Sequence, residues 1–244
     1  MKDVADLLFM AGTAALLAAA AIGVARLPLF PVREVVVTSA LREVRRGEIE
    51  RALSGNLRGN FFSVNLETVR QALEQLPWVR RAEARRRWPA SIEVGIEEQT
   101  PVAFWGRSAG RLVNSYGEIF NAGMSAPPPG TLPVLTGPAS FTPEMLAYYR
   151  QAVDLFRTIG RAPRELSVSP RLALRMTLDD GTIVELGRQQ AKAPIRERLE
   201  RFAEFYPAMR AAAGGRPEAV DMRYPNGFAL RAAAAPESEG RRKP

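Results

Sequence analysis

The residue types that usually carry out catalysis are scarce in this sequence. It contains no histidine and no cysteine, so it lacks the commonest general base, thiol nucleophiles, disulfides and thiolate zinc sites. Its lysines are Lys2, Lys192 and Lys243, and none of them follows a serine by three residues, the spacing found in serine transpeptidases. The acidic pairs Glu97-Glu98 and Asp179-Asp180 fall at predicted strand ends and turns, where solvated charge is expected. The sequence therefore predicts no enzyme, no metal and no cofactor.

Arginine is concentrated between residues 76 and 89, where the sequence reads LPWVRRAEARRRWP. In a chain with a formal net charge of +8, such a run is one sign of nucleic-acid binding. A nucleic-acid site would interleave aromatic side chains with the basic ones, whereas Trp78 and Trp88 share the apolar face of a predicted strand with Ala82 and Ala84. The pattern favours a solvated strand face over a nucleic-acid interface.

A hairpin accounts for most of these arginines. The apolar positions of its second strand are Ile92, Val94 and Ile96. The outward positions of the two strands are Arg81, Arg85, Arg87, Glu93 and Glu97. Opposite charges across a hairpin stabilise an exposed sheet face. Arg80 and Arg86 do not fit this pattern, which leaves them open to a partner or to lipid headgroups.

The segments before the hairpin complete a small module. The β-branched residues between positions 32 and 39 predict a strand, and apolar spacing at Ile49, Ala52 and Leu53 predicts a helix. A second helix begins after Asn65, whose side-chain oxygen suits an N-cap. The predicted order is strand, helix, helix, strand, strand.

An apolar segment precedes this module. Leu7 to Ala25 is nineteen residues without a charge. As a helix it would span ~28 Å, which matches the hydrocarbon core of a bilayer. A cleaved secretory signal is the competing interpretation, because small residues around positions 18 to 21 suit a signal peptidase. The length favours an uncleaved anchor, and a buried soluble helix is the third interpretation. The short segment before the run and the long one after it predict that the bulk of the chain is translocated.

The second half of the sequence alternates helices and hairpins. Thr142 and Pro143 predict the start of a helix, and Gly160 predicts its end. The segment LALRMTLDDGTIVELGR predicts a hairpin whose first strand alternates Leu172, Leu174, Met176 and Leu178. A helix from about Pro194 would bury Ile195, Leu199, Phe202, Phe205 and Met209. A strand pair between about 217 and 231 and a polar tail complete the prediction.

Several of these segments together resemble a known family. Residues 28 to about 98 look like a POTRA domain, a small module found next to membranes. The stretch LPWVRRAEARRRWPASIEVGIEEQTPVAFW, from Leu76 to Trp105, is similar to the corresponding stretch of the FtsQ/DivIB family of bacterial cell-division proteins. The segments LVNSYGEIF, LPVLTGP, RFAEFYP and VDMRYPNG follow in the family's order. The resemblance covers about residues 7 to 231.

The resemblance implies an α+β fold with a single N-terminal transmembrane helix. The implied parts are a short cytoplasmic segment (1–6), the transmembrane helix (7–26), a POTRA domain of order β-α-α-β-β (28–98), a mixed β-sheet domain with packed helices (99–231) and a disordered tail (232–244). The implied location is the bacterial inner membrane at the division septum, as a single-pass type II protein with its bulk in the periplasm.

The function that the resemblance implies is that of a non-enzymatic scaffold. Members of the family recruit the coiled-coil proteins FtsB and FtsL and contact other divisome components, which links early and late division proteins. No small-molecule substrate, nucleic acid or cofactor is implied. The alternative is a POTRA-containing secretion or outer-membrane assembly factor, although such proteins carry a cleaved signal and many alternating segments of about ten residues.

The implied partner site is the last strand before the tail, predicted at residues 227–231, because a strand at the edge of a sheet can pair with an incoming strand. The partner-binding residues expected by resemblance are Arg171, Tyr224, Gly227, Phe228 and Leu230. Arg171 is the base expected to pair with an acidic partner residue, and Phe228 stands where the family often has a tryptophan. In the alternative interpretation, Tyr224 covers the core with its hydroxyl in water and Arg171 is a solvated loop charge.

Overall fold

The computed structural model describes residues 2–25, 30–107 and 110–232. Residues up to Gln99 form one compact unit, and residues from Thr100 onward form a second. We name the first helix separately and use the term first unit for residues 30–99. The predicted disordered tail lies outside the described residues except for Ala232, and so does Arg26 at the end of the predicted anchor. The described residues therefore test the predicted fold of the two units and the predicted first helix.

The first helix, α1, spans Lys2–Ala25 and contains the predicted apolar segment. Its large apolar side chains are exposed, with Leu7 at 68% and Leu17 at 65%. Within the described residues, no helix is both long enough and apolar enough to count as a membrane span. The anchor at residues 7–26 stays a prediction from the sequence.

The first unit has the predicted order of strand, helix, helix, strand and strand. Its elements are β1 (Glu34–Val37), α2 (Arg46–Ser54), α3 (Leu66–Glu74), β2 (Val79–Arg87) and β3 (Ser91–Glu98). β3 is the central strand, with β1 parallel on one side and β2 antiparallel on the other. Asn65 caps α3 as predicted, since its side-chain oxygen accepts from the backbone amides of Glu67 and Thr68.

The apolar face of the hairpin differs from the prediction at one end. The core residues of β3 are Ile92, Val94 and Ile96, as predicted. Trp88, however, is 68% exposed. β2 ends at Arg87, so Trp88 lies in the turn and not on the pleated face. At the other end, Trp78 is buried but lies in the turn before β2, and a register shift between Val79 and Arg81 lets both Val79 and Ala82 lie buried.

Two arginines of the hairpin, Arg80 and Arg85, are paired with carboxylates of β3. Arg85 pairs with Glu93 across the ladder at 2.8 Å, as predicted. Glu97 pairs with Arg80 at 3.1 Å, although Arg81 is the residue that stands opposite it in the register. Arg80 therefore has a structural partner that strand alternation alone does not predict.

Arg86 binds main-chain oxygens. Its guanidinium donates to the carbonyl oxygens of Phe61 at 2.7 Å, Phe62 at 3.1 Å and Val64 at 2.8 Å. These three residues form the turn between α2 and α3. Arg86 thus holds this turn against the hairpin, which is the structural role that the sequence left open.

The second unit contains a nine-stranded mixed sheet and two long helices. The strands are β4 (Pro101–Trp105), β5 (Arg111–Asn114), β6 (Ile119–Asn121), β7 (Val134–Thr136), β8 (Pro163–Val168), β9 (Leu174–Leu178), β10 (Ile183–Gly187), β11 (Pro217–Asp221) and β12 (Ala229–Ala232). The helices are α4 (Thr142–Phe156) and α5 (Ile195–Ala212). The order across the sheet is β12-β11-β10-β9-β8-β7-β4-β5-β6.

The two helices pack on the sheet through one apolar cluster. Phe156 of α4 and Phe202 of α5 are fully buried, with ring centroids 5.0 Å apart. Phe205, predicted to be buried, is 40% exposed. Besides Arg198, the buried residues of α5 are Ile195, Leu199, Phe202, Tyr206 and Met209, which form its apolar stripe. Steps of four and three residues keep this stripe on one face, which Tyr206 shares and Phe205 does not.

Two strands begin later than predicted. β9 starts at Leu174, and Leu172 lies in the preceding turn with a φ of 58° and 42% exposure. The amide of Leu172 donates to the carbonyl of Ser169, which closes this turn before the strand begins. β12 starts at Ala229, so the segment Gly227-Phe228 precedes the strand that was predicted to contain it.

Candidate partner-binding site

β12 is the outermost strand at one side of the nine-stranded sheet. Its inner side pairs antiparallel with β11, where Ala229 lies opposite Asp221 and Leu230 lies opposite Val220. No strand of the described chain pairs with its outer side. Because alternate residues of a strand direct their main-chain groups to opposite sides, the outer side presents amide and carbonyl groups to an incoming strand.

The sheet register brings the predicted site residues to one end of the strands. β9 begins where β10 ends, with Leu174 opposite Gly187. β10 runs parallel to β11, and β11 ends where β12 begins, with Asp221 opposite Ala229. The turn before β9 and the loop between β11 and β12 therefore lie at the same end of the sheet. The turn contains Arg171, and the loop contains the predicted residues up to the start of β12.

Two strands separate Arg171 from β12 along this end. With ~4.8 Å between neighbouring strands, β9 and β12 lie ~14 Å apart. A strand added outside β12 would lie ~19 Å from β9. One added strand therefore does not reach Arg171, and a partner that contacts both needs a second segment across the ends of the strands.

Arg171 differs in its charge environment from three other arginines of this part of the sheet, Arg175, Arg223 and Arg231. It is exposed and forms no ion pair with any described residue. The neighbouring ion pairs are Arg175 with Glu185 at 2.6 Å, Arg223 with Asp221 at 2.6 Å and Arg231 with Glu218 at 3.8 Å. Arg171 thus keeps a positive charge that no described carboxylate offsets.

The loop between β11 and β12 is held by Arg201 of α5. The Arg201 guanidinium donates to the carbonyl oxygens of Met222 at 3.4 Å, Tyr224 at 3.0 Å and Pro225. Tyr224 itself is 55% exposed. The sequence did not single out Arg201, because its partners are main-chain oxygens, which any residue type supplies.

The other predicted residues differ in how far the chain itself uses them. The Phe228 ring packs on Phe205 with centroids 6.2 Å apart, and Leu230 packs against the core of the unit. Both side chains therefore stabilise the unit as well as lining the edge. Gly227 has no such role, because a Cβ built there would meet nothing within 4 Å and its φ lies outside the left-handed region.

An open groove of about 490 Å³ lies on the sheet face beside β12. Its charged lining consists of Arg175, Glu185, Asp221, Arg223 and Arg231. Arg223 donates to both oxygens of Asp221, and these hydrogen bonds hold the pKa of that carboxyl below its ordinary range. The groove charges are largely paired with one another, so side-chain shape and the strand edge dominate what this face can bind.

Two regions of the chain match known domain families. Residues 30–99 match the family described as POTRA domain, FtsQ-type. Residues 103–223 match the family described as cell division protein FtsQ/DivIB, C-terminal. Arg171 falls within the second match, whereas Tyr224 and the residues of β12 lie beyond its last residue.

Curated proteins named Cell division protein FtsQ are similar to most of the chain. The protein from Burkholderia pseudomallei (strain K96243) is 37% identical over 206 residues, covering 84% of this chain and 81% of the relative. That from Nitrosospira multiformis is 38% identical over 210 residues, covering 84% and 85%. That from Bordetella pertussis is 32% identical over 250 residues, covering 96% and 91%.

Proposed function

The chain belongs to the FtsQ/DivIB family of cell-division proteins, and from this premise we propose that it is a non-enzymatic divisome scaffold that recruits FtsB and FtsL to the septum. The outer side of β12 pairs with a strand of an FtsB-like protein. The loop before β12 and Arg171 contact the residues that flank this strand. The match over residues 103–223 favours this role over that of a secretion or outer-membrane assembly factor.

The observation that carries the proposal is the position of β12 at the free edge of a large sheet. Main-chain hydrogen bonds to an edge strand give affinity and direction, whereas neighbouring side chains give specificity. Tyr224 is exposed beside this edge, and Arg171 is exposed at the same end of the sheet. An aromatic ring and an arginine are common anchors of protein interfaces. Together they supply the specificity that a bare edge lacks.

The proposal includes anchoring of α1 in the inner membrane, as a single type II span with both units in the periplasm. The nineteen uncharged residues from Leu7 to Ala25 support it, as does the exposure of apolar side chains along α1. A reporter fused after Ala232 tests the orientation. Alkaline phosphatase, which is active only outside the cytoplasm, should be active there. Activity of a cytoplasmic reporter at the same position would contradict the orientation.

A proline substitution in β12 tests the strand pairing. Met222 donates to the carbonyl of Glu185 in β10, so Val220 directs its main-chain groups to β10 and its partner Leu230 directs its amide outward. Leu230→Pro removes this amide, and Leu230→Ala is the control that loses the same packed side chain but keeps the amide. Leu230→Pro should bind the periplasmic segments of FtsB and FtsL more weakly than Leu230→Ala by surface plasmon resonance. Equal binding by the two variants would exclude strand addition at β12.

Gly227→Ala and Arg171→Glu test the flanking contacts. The alanine variant should fold normally, because a Cβ at position 227 meets no atom, and weaker binding would then report close approach by the partner.

Arg171→Glu should raise the Kd for the FtsB segment about fivefold at low salt and less at high salt, because salt screens a rim charge. Arg196→Glu is the matched control on α5. Equal losses in the two charge variants would reveal a net-charge effect and not a contact of Arg171.

A further inference from the structure

The first unit carries an exposed group of aromatic rings at one end of its sheet. The rings are Phe30, Phe61, Phe62 and Trp88, with neighbouring centroids 5.2 to 6.5 Å apart. Phe61 is buried, but Phe62 is 44% exposed and Trp88 is 68% exposed. We refer to these four residues as the aromatic cap. Its two outer rings place a large apolar surface in contact with the surroundings of the protein.

The aromatic cap is held in a fixed arrangement. The Arg86 guanidinium binds three carbonyl oxygens of the turn that presents Phe62. The side-chain oxygen of Asn60 accepts from the amides of Phe62 and Ser63, at 3.0 and 2.9 Å. The amide of Phe61 donates to the carbonyl of Phe30 at 2.7 Å. The exposure of the outer rings is therefore built into the fold and does not arise from a loosely packed loop.

The cap lies where the chain coming from α1 joins the first unit. Phe30 belongs to the cap, and the amide of Arg33 donates to the carbonyl of Ala90, two residues beyond Trp88. The first residue of β1 pairs with Ser91, the first residue of β3, so the start of β1 and the hairpin turn share one end of the sheet. Phe30 follows Ala25 by five residues, and five residues span at most ~18 Å in any conformation.

We propose that the aromatic cap lies in the headgroup region of the bilayer that holds α1. This contact rests on the proposed anchoring of α1. Tryptophan and other aromatic side chains favour the membrane interface, where an apolar ring meets both acyl chains and polar headgroups. Arg58 and Arg87 are exposed and lie shortly before Phe61 and directly before Trp88 in the sequence, which suits anionic lipid phosphates. The contact would fix which end of the first unit faces the membrane.

Trp88 provides a probe for this contact. The other tryptophans, Trp78 and Trp105, are only 7% and 6% exposed. The full chain would be reconstituted into phosphatidylcholine–phosphatidylglycerol vesicles with or without brominated acyl chains, which quench nearby tryptophan emission. The difference between the wild type and Trp88→Phe isolates the emission of Trp88. We expect brominated lipid to quench most of this component.

A second position provides the matched control. Gln75 is an exposed residue at the end of α3, shortly before β2 and thus at the opposite end of the sheet. In the Trp88→Phe background, Gln75→Trp should escape quenching. Equal quenching at both positions would overturn the proposed orientation of the unit. A Trp88 component shielded from iodide but not quenched by lipid would place a protein on the cap and overturn the lipid contact.

An alkaline wash of the same vesicles tests separately whether α1 anchors the chain in the bilayer. If the chain remains with the vesicles while the Trp88 component is unquenched, the cap contact is wrong and the anchoring stands. If the wash removes the chain, the anchoring is wrong and the cap contact fails with it. Retention together with quenching at Trp88 and not at position 75 supports both.

Discussion

Arg86 in the first unit and Arg201 in the second hold a loop in the same way. Each guanidinium donates to three main-chain carbonyl oxygens of one loop. Each loop presents an exposed aromatic side chain, Phe62 in the first unit and Tyr224 in the second. The loops differ in what lies beside them. Phe62 is surrounded by other rings, whereas the loop of Tyr224 continues into a free strand edge.

This difference matches the two surroundings that we propose. A bilayer interface offers no fixed hydrogen-bond pattern, so a rigid group of rings is sufficient to contact it. A protein strand must pair in one register, and the main chain of β12 supplies that register. We call an arginine that binds three carbonyl oxygens of one loop a clamp. Such a clamp can therefore hold a loop of the aromatic cap, which binds through side chains alone, or the loop beside β12, which binds through side chains and main-chain pairing.

Arg201→Ala should have the largest effect. Three carbonyl oxygens lose a charged donor, and we expect the free energy of unfolding to fall by ~2 kcal/mol. Because Tyr224 also loses its fixed position, the Kd for the FtsB segment should rise at least about tenfold. Urea unfolding and surface plasmon resonance measure the two effects. Arg196→Ala, which removes an exposed ion pair from the same helix, should change neither, and full binding by Arg201→Ala would exclude the loop from the site.

Arg86→Ala should affect stability without affecting the partner. We expect the free energy of unfolding of the first unit to fall by ~1.5 kcal/mol, because the turn after α2 loses the donor to three carbonyls. Binding of FtsB and FtsL should remain at the wild-type level. Urea unfolding monitored by tryptophan emission reports the first effect, and Arg87→Ala is the control at a neighbouring exposed arginine. Loss of partner binding in Arg86→Ala would show that the two clamps do not act independently.

The smallest effect is expected at the far end of the large sheet, where the Tyr206 hydroxyl donates to Asp180 at 2.8 Å. Burial disfavours the charged form of Asp180, but hydrogen bonds from Thr182 and Tyr206 outweigh it, so the pKa of this carboxyl lies below its ordinary value. Such a group contributes stability above its unfolded pKa and loses that contribution as the pH falls through its folded pKa.

Tyr206→Phe should therefore lower the free energy of unfolding by ~1 kcal/mol at neutral pH. The cost should shrink in acid, as the pH falls below the ordinary range of an aspartate and through the lower folded pKa of Asp180. Tyr149→Phe is a matched control, because the Tyr149 hydroxyl donates to the carbonyl of Pro163 and not to a carboxylate. Its cost should not change over the same acid range. Weaker FtsB binding by Tyr206→Phe would show that this end of the sheet is coupled to β12.

The sequence predicted the elements whose signal is local. The N-cap of Asn65, the alternation in β3 and the order of the first unit are correct, because each depends on neighbouring residues or on one repeated period. Trp88 and Leu172 were placed on strands but lie in turns. An alternating pattern does not predict the residue at which a strand begins or ends, because that residue depends on the hydrogen bonds of the adjoining turn.

The candidate site could be predicted from the sequence only in part. Resemblance pointed to Tyr224 and Arg171, but their place at one end of the sheet depends on the registers of four strands. Long-range registers leave no short pattern in a sequence. Arg86 and Arg201 were not recognised as clamps for a related reason, since a main-chain carbonyl is the same at every residue and no complementary side chain marks its partner.

The parallel pairing of β1 with β3 has a mechanical consequence. The chain enters the first unit at the start of β1 and leaves it after Glu98 at the far end of β3. A pull on the two ends of this unit would therefore slide β1 along β3 and strain their hydrogen bonds together, instead of opening them one after another. A protein under tension between a membrane and a constricting septum would keep its first unit folded at forces that would unzip a hairpin.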